Sequence, residues 1–174
     1  VQGIAGHRVT NIYSLPSVLY LLSRVPHVRE AMDSVDSVVS GGYKLNESIF
    51  RTFLDKTGLA IHEGYGLTEA SPICTWHRPR DPIKIESVGR AFSCCEVSVR
   101  DAQSLPLPVG RVGEVCIRGA NVMKGYYRHP EETRRVLRHG WLHTGDLGRM
   151  DADGYLYLTG LAKRMLNLSL IHIS

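Results

Sequence analysis

The 174-residue chain is 43% apolar and 22% charged, ordinary values for a protein that buries a core. Its longest apolar stretch, Leu15 to Leu22, is interrupted by Pro16 and Ser17 and falls far short of the roughly 20 residues that cross a bilayer, which excludes a transmembrane helix. The net charge of +4, from 21 basic and 17 acidic residues spread thinly, argues against a nucleic-acid groove, as does the lack of aromatic residues interleaved with basic ones.

Val1 to Thr10 contains neither an initiator Met nor the charged start and apolar run of a secretion signal, so the expectation is a piece of a longer chain. From Pro16 to Val25, the spacing of Val18, Leu19, Leu22 and Val25 predicts a helix capped by Ser14 or Ser17. The β-branched run Val35 to Val39 reads as a strand that ends in Ser40-Gly41-Gly42. Asn46 then caps a helix that turns Ile49, Phe50, Phe53 and Leu54 to one face, and Gly58 closes it. Leu59 to Ile61 resumes an extended run, and Gly64-Tyr65-Gly66 is expected to turn the chain sharply. Strands alternating with helices imply a parallel sheet with ligand contacts at the carboxyl ends of its strands.

After Glu86 the pattern changes to short alternating runs, Glu96 to Arg100, Glu114 to Arg118, Leu147 to Met150 and Tyr155 to Leu158, which read as antiparallel β. Asp151-Ala152-Asp153-Gly154 is a hairpin loop between the last two. A helix starting at Pro130 places Glu131 and Glu132 at its positive end and Arg134, Arg135 and Arg138 towards its negative end. This basic cluster reads as a solvated helix face, with peripheral membrane contact as the alternative. Cys74, Cys94, Cys95 and Cys116 have no CxxC spacing and no matching histidines; reduced thiols in a cytoplasmic protein are the expectation.

Four segments carry the chemistry: Ser40 to Gly42, Tyr65-Gly66-Leu67-Thr68-Glu69, Trp141 to Asp146, and Gly160 to Lys163. Taken singly, each has a plain explanation as a turn or a helix cap. Their order, together with Gly113 to Gly119, Asn121 to Tyr127, Pro130 to Thr133 and Gly140 to Gly148, resembles the adenylate-forming superfamily of acyl-CoA synthetases, luciferases and peptide-synthetase adenylation domains. The resemblance runs from Thr10 to Asn167, and the wording of the motifs looks most like fatty acyl-CoA synthetases.

That resemblance implies an α/β fold, part of the large N-terminal domain of such an enzyme. Residues 1–86 would form its parallel-sheet portion, 87–160 an antiparallel β-rich subdomain, and 161–174 a hinge with the start of a further domain. It implies ATP and Mg²⁺ as cofactors and a carboxylic acid and coenzyme A as co-substrates. Gly41, Gly42, Tyr43 and Tyr65 would enclose adenine, with Gly66 beside the acyl pocket that continues along Ala70 to Ile73. Thr68 would donate to phosphate, Glu69 would bind Mg²⁺, Asp146 would accept both ribose hydroxyls, and Lys163 would be the hinge. A hard divalent cation favours carboxylate oxygen, and an ionised acceptor suits paired hydroxyls.

Two departures qualify the match. Leu161 stands where the family has an arginine that reaches the nucleotide, and Leu168 to Ser174 resembles read-through of adapter DNA. The expectation is therefore a fragment, inactive by itself, of a ligase forming acyl-AMP and then acyl-CoA. The alternatives are a carrier-protein-loading adenylation domain or acyl-AMP ligase, and a non-catalytic nucleotide-binding remnant.

Overall fold

The computed structural model describes residues 1–78 and 81–161, the last by its main chain only. The chain begins with α1 (Gln2–Gly6), β1 (Asn11–Ser14), α2 (Pro16–Ser23), α3 (Val28–Ala31), β2 (Ser37–Ser40), α4 (Glu47–Thr57) and β3 (Ile61–Tyr65). Strands β1, β2 and β3 pair in parallel, with Ile12 opposite Val38 and Val38 opposite Ile61. Helices α2 and α3 cross from β1 to β2, and α4 crosses from β2 to β3, so β2 is the middle one of the three parallel strands. Its Val38, Val39 and Ser40 are all buried, which is why two valines stand side by side in it instead of alternating with exposed polar residues.

Leu19 of α2 and Phe50 and Phe53 of α4 pack on Val38 and Ile61 in the core of this layer. The three-residue spacing of Phe50 and Phe53 puts both on the sheet side. Leu54, expected on that face, is instead 39% exposed, because the apolar arc is narrower than the sequence spacing indicated. The N-cap of α2 is Leu15, without a side-chain cap bond, rather than Ser14 or Ser17; Pro16 supplies the first-turn geometry by itself. Asn46 occupies the N-cap of α4 but makes no side-chain bond there. Gly58 ends α4 as expected, at φ +77 with its N–H on the Leu54 carbonyl.

Beyond β3 the chain makes a 3₁₀ turn, Thr68–Ala70, and then forms β4 (Thr75–Trp76) and β5 (Arg90–Ala91), both antiparallel additions to the same sheet. Gly64 and Tyr65 remain in β3, opposite Trp76 and Thr75, so the sharp turn begins only at Gly66. A Cβ at Gly66 would stand 1.7 Å from the Pro72 carbonyl oxygen, which reserves the position for glycine.

The second sheet is antiparallel: β6 (Cys95–Arg100), β7 (Gly113–Gly119), β9 (Trp141–Met150) and β10 (Leu156–Leu161) in the order β10-β9-β7-β6, with β8 (Leu137–Arg138) on β9. The protein is thus α/β, a parallel portion followed by a β-rich one. Helix α5 (Pro130–Val136) is shorter than expected: Arg138 lies in β8, paired with Trp141, and does not sit at the helix end. Asp151 holds the β9–β10 loop by accepting the Asp153 and Tyr155 amides at 3.0 and 2.9 Å, and Gly154 takes φ +81. Among the described residues no helix is long and apolar enough to cross a membrane.

The two sheets meet where Val88 N–H donates to the Leu156 carbonyl and Leu156 N–H to that of Gly89, at 2.8 and 2.9 Å. Lys84 spans the same joint, its Nζ 2.5 Å from Asp151 and 2.6 Å from Asp153. Gly89 has φ +80, and a Cβ there would lie 2.0 Å from the Trp76 carbonyl carbon. Gly89→Ala is therefore expected to cost about 3 kcal/mol or more, through backbone strain and overpacking combined, measured as the loss of unfolding free energy in urea.

Candidate functional site

The parallel strands end on one side of the sheet, and the second sheet stands over that end. Between them lies a cleft of about 230 Å³ lined by Gly42, Tyr43, Lys44, Glu63, Gly64, Tyr65, Gly66, Glu86, Val88, Asp146 and Leu158. Gly42, Tyr43, Tyr65, Gly66 and Asp146, singled out from the sequence, are thus brought to one place. Gly41 lies on an adjoining, mainly apolar cleft of about 460 Å³ with Tyr13, Leu15, Val39, Pro72 and Ile73. Ser40 Oγ, on the wall of that second cleft, is buried and has no hydrogen-bond partner among the described residues.

The β2 end presents main chain to the cleft because glycine occupies two successive positions. Gly42 has φ +83, and an added Cβ there would be 3.2 Å from Leu15 Cδ2. Opposite it, the Tyr65 hydroxyl donates to Asp146 Oδ2 over 2.6 Å. Burial, and then this bond, push the Tyr65 hydroxyl well above its ordinary pKa, so it remains a donor. Asp146 is held in turn from its own main chain, its N–H donating to Thr144 Oγ1 at 3.1 Å while Thr144 donates to the Val115 carbonyl at 2.8 Å. Among the described residues Asp146 Oδ1 has no protein partner.

Thr68 and Glu69 follow one turn beyond Gly66. Thr68 is exposed, and Glu69 Oε1 accepts the Tyr126 hydroxyl at 2.7 Å. That bond raises the Tyr126 hydroxyl's pKa and leaves Glu69 Oε2 without a protein hydrogen bond among the described residues. The turn is anchored from the second sheet's side, since Met123 N–H donates to the Glu69 carbonyl and Asn121 Nδ2 to that of Ala70. Ala70 is fully buried beneath it. Lys163 lies outside the described residues.

Sequence reasoning missed Glu63 and Tyr126 as members of the site. Tyr126 stood inside the Asn121 to Tyr127 match, a signal that could have found it. Nothing local marked Glu63, which only folding buries, at 3% exposure. Its Oε1 accepts the Leu45 amide at 3.0 Å. Burial pushes its carboxyl up to about 7 against that bond and the neighbouring Lys44. Behind it His77 accepts the Glu63 amide on Nδ1 and lies 2.8 Å from Ser87 Oγ through Nε2; burial holds this imidazole down to about 4.

The comparisons with known proteins agree with this fold. Residues 1–127 match the family model described as AMP-binding enzyme. The chain belongs to that family, the adenylate-forming enzymes. It is 34% identical over 168 residues to feruloyl-CoA synthase of Amycolatopsis sp, covering 95% of this chain and 34% of that one. It is 33% identical over 167 residues to the medium/long-chain-fatty-acid–CoA ligase FadD8 of Mycobacterium tuberculosis, covering 94% and 29%. ATP-bound MatB from Rhodopseudomonas palustris superposes with a TM-score of 0.86 at 32% identity over 90% of this chain and 32% of MatB. The chain thus spans about a third of the length of the relatives it matches.

Glu63 and His77 give stability opposite pH slopes. A carboxyl raised in the folded state loses stability as pH climbs from its unfolded value near 4.5 to about 7, whereas the depressed imidazole loses it as pH falls from about 6.5 to 4. Glu63→Gln isolates the first. Its unfolding free energy relative to the parent should be nearly level below pH 4.5 and rise by about 2–3 kcal/mol between pH 4.5 and 7.5. Urea unfolding across that range reads the difference directly.

Proposed function

We propose that this chain carries the nucleotide-binding part of an enzyme that joins a carboxylic acid to the α-phosphate of ATP, releasing pyrophosphate, and then transfers the acyl group from AMP to coenzyme A. The observation that carries this reading is Asp146 on the wall of the cleft, one oxygen taken by Tyr65 and the other without a partner among the described residues. A carboxylate in that state accepts from a ribose diol, and the Tyr65 hydroxyl keeps it oriented while its ring offers adenine an apolar wall. The glycines Gly41 and Gly42 let main chain approach the base closely, with Tyr43 beside them.

Thr68 is exposed at the next turn and suits a hydrogen bond to phosphate. Glu69 suits Mg²⁺, since it offers a carboxylate oxygen that Tyr126 leaves uncommitted. When bound, the ion would neutralise charge on the phosphates; orienting that carboxylate falls to Tyr126 and to the Met123 amide on the Glu69 main chain. Lys163 is read as the hinge to a following domain. The acyl group is assigned to the apolar cleft along Val39, Gly66, Pro72 and Ile73.

That lining supports an apolar acid, a fatty acid in the first instance, with an aromatic acid as the competitor that the name of the Amycolatopsis relative raises. The free state of Cys74, Cys94, Cys95 and Cys116 suits a cytoplasmic enzyme.

Calorimetric titration tests the assignment. Asp146→Ala should weaken AMP binding by about 10- to 100-fold, the value of charge-assisted hydrogen bonds to ribose. Glu69→Gln should leave AMP binding intact but remove the strengthening of ATP binding by Mg²⁺. If AMP affinity survives in Asp146→Ala, the ribose assignment fails.

A further inference from the structure

Next to Asp146, outside the residues that line the cleft, Glu114 of β7 meets His143 of β9 where the register of the two strands shifts. Gly145 N–H donates to Glu114 Oε1 over 3.1 Å, and His143 Nδ1 lies 2.7 Å from Oε2. Arg138 stands 3.6 Å from the same oxygen. His143 is buried, and its Nε2 is 3.2 Å from Ser104 Oγ, so the ring is held at both nitrogens. None of these groups lines the cleft, yet they lead through Glu114 to the amide of Gly145, the residue before Asp146.

Cys116 Sγ, 3.4 Å from His143 Nδ1, completes a Glu-Cys-His group with the spacing of a metal site. The chemistry favours a hydrogen-bonded group instead. Both Glu114 oxygens already have partners, the Arg138 cation repels a second one, and burial pushes the Cys116 thiol up to about 12.

Gly145 adopts φ +75, a conformation glycine tolerates but does not prefer over others, so its own backbone does not fix the turn. The bond it donates to Glu114 does, together with that of the Asp146 amide to Thr144. We propose that Glu114 is a positioning residue for ribose recognition: by holding the Gly145 amide it sets the direction of the Asp146 carboxylate, and His143 keeps Glu114 in place. This rests on the ribose reading of Asp146. Loss of the Glu114 carboxylate would free the turn and unpair a buried imidazole nitrogen, and a bonded site tolerates only about 0.5 Å of displacement.

The test compares AMP with 2′,3′-dideoxy-AMP by calorimetry on the 174-residue chain. The parent should prefer AMP by about tenfold or more. Glu114→Ala should lower AMP affinity by about tenfold and leave dideoxy-AMP within about twofold. Glu114→Gln, which keeps an oxygen for the Gly145 amide and an NH2 that pairs with His143 Nδ1 once the ring exchanges tautomers, should recover most of the preference. A parent without any preference overturns the ribose reading and this inference together. A parent preference that persists undiminished in Glu114→Ala overturns the inference alone. So do equal losses for both nucleotides in Glu114→Ala and Glu114→Gln, which mark a purely structural role.

Discussion

The hydrogen bond from the Tyr65 hydroxyl to Asp146 joins residues 81 positions apart and closes the cleft between the two sheets. Each end is held by its own sheet. Tyr65 is fixed because β3 continues past the parallel ladder to pair with β4, and its carbonyl accepts the Cys74 amide at 2.8 Å. Asp146 is fixed by Thr144, Val115 and Glu114, all of the antiparallel sheet. Neither sheet alone makes the cleft. Each supplies one wall, and the joint at Val88, Gly89 and Leu156 sets the separation of the walls.

The polar groups beneath the cleft are satisfied by one another rather than by solvent. Glu63, His77 and Ser87 are nearly inaccessible, and each bonds to main chain or to the next. A network of this kind costs desolvation but is strongly directional. It ties the loop after Gly42, through the Leu45 amide, to β3 and β4, and so keeps the glycine wall facing Tyr65. Stability and site geometry therefore draw on the same residues. Substitutions here should alter both, whereas changes in the outer core around Phe53 should alter stability first.

The parallel-then-antiparallel order was legible because periodicity changes near Glu86, and the motif order singled out Tyr65 and Asp146, which fold onto one cleft. What was not legible depended on long-range contact. The sharp turn expected at Gly64 to Gly66 began only at Gly66, because β4 recruits Gly64 and Tyr65 into the sheet. Arg138 left its expected helix because β9 offers Leu137 and Arg138 a pairing partner. Leu54 matched the helical spacing and still faced outward. Glu63 gave no local signal and Glu114 only its place in the Gly113 to Gly119 match, since their significance lies in what folding places 18 and 31 residues away.

The most direct measurement is an amide-resolved NMR titration of the chain with AMP. If both walls bind one nucleotide, the amides of Gly42, Tyr43 and Gly66 and those of Gly145 and Asp146 should shift together, along a single saturation curve. Shifts confined to one sheet, or to the separate surface cleft around Arg24 and Arg29, would contradict the account.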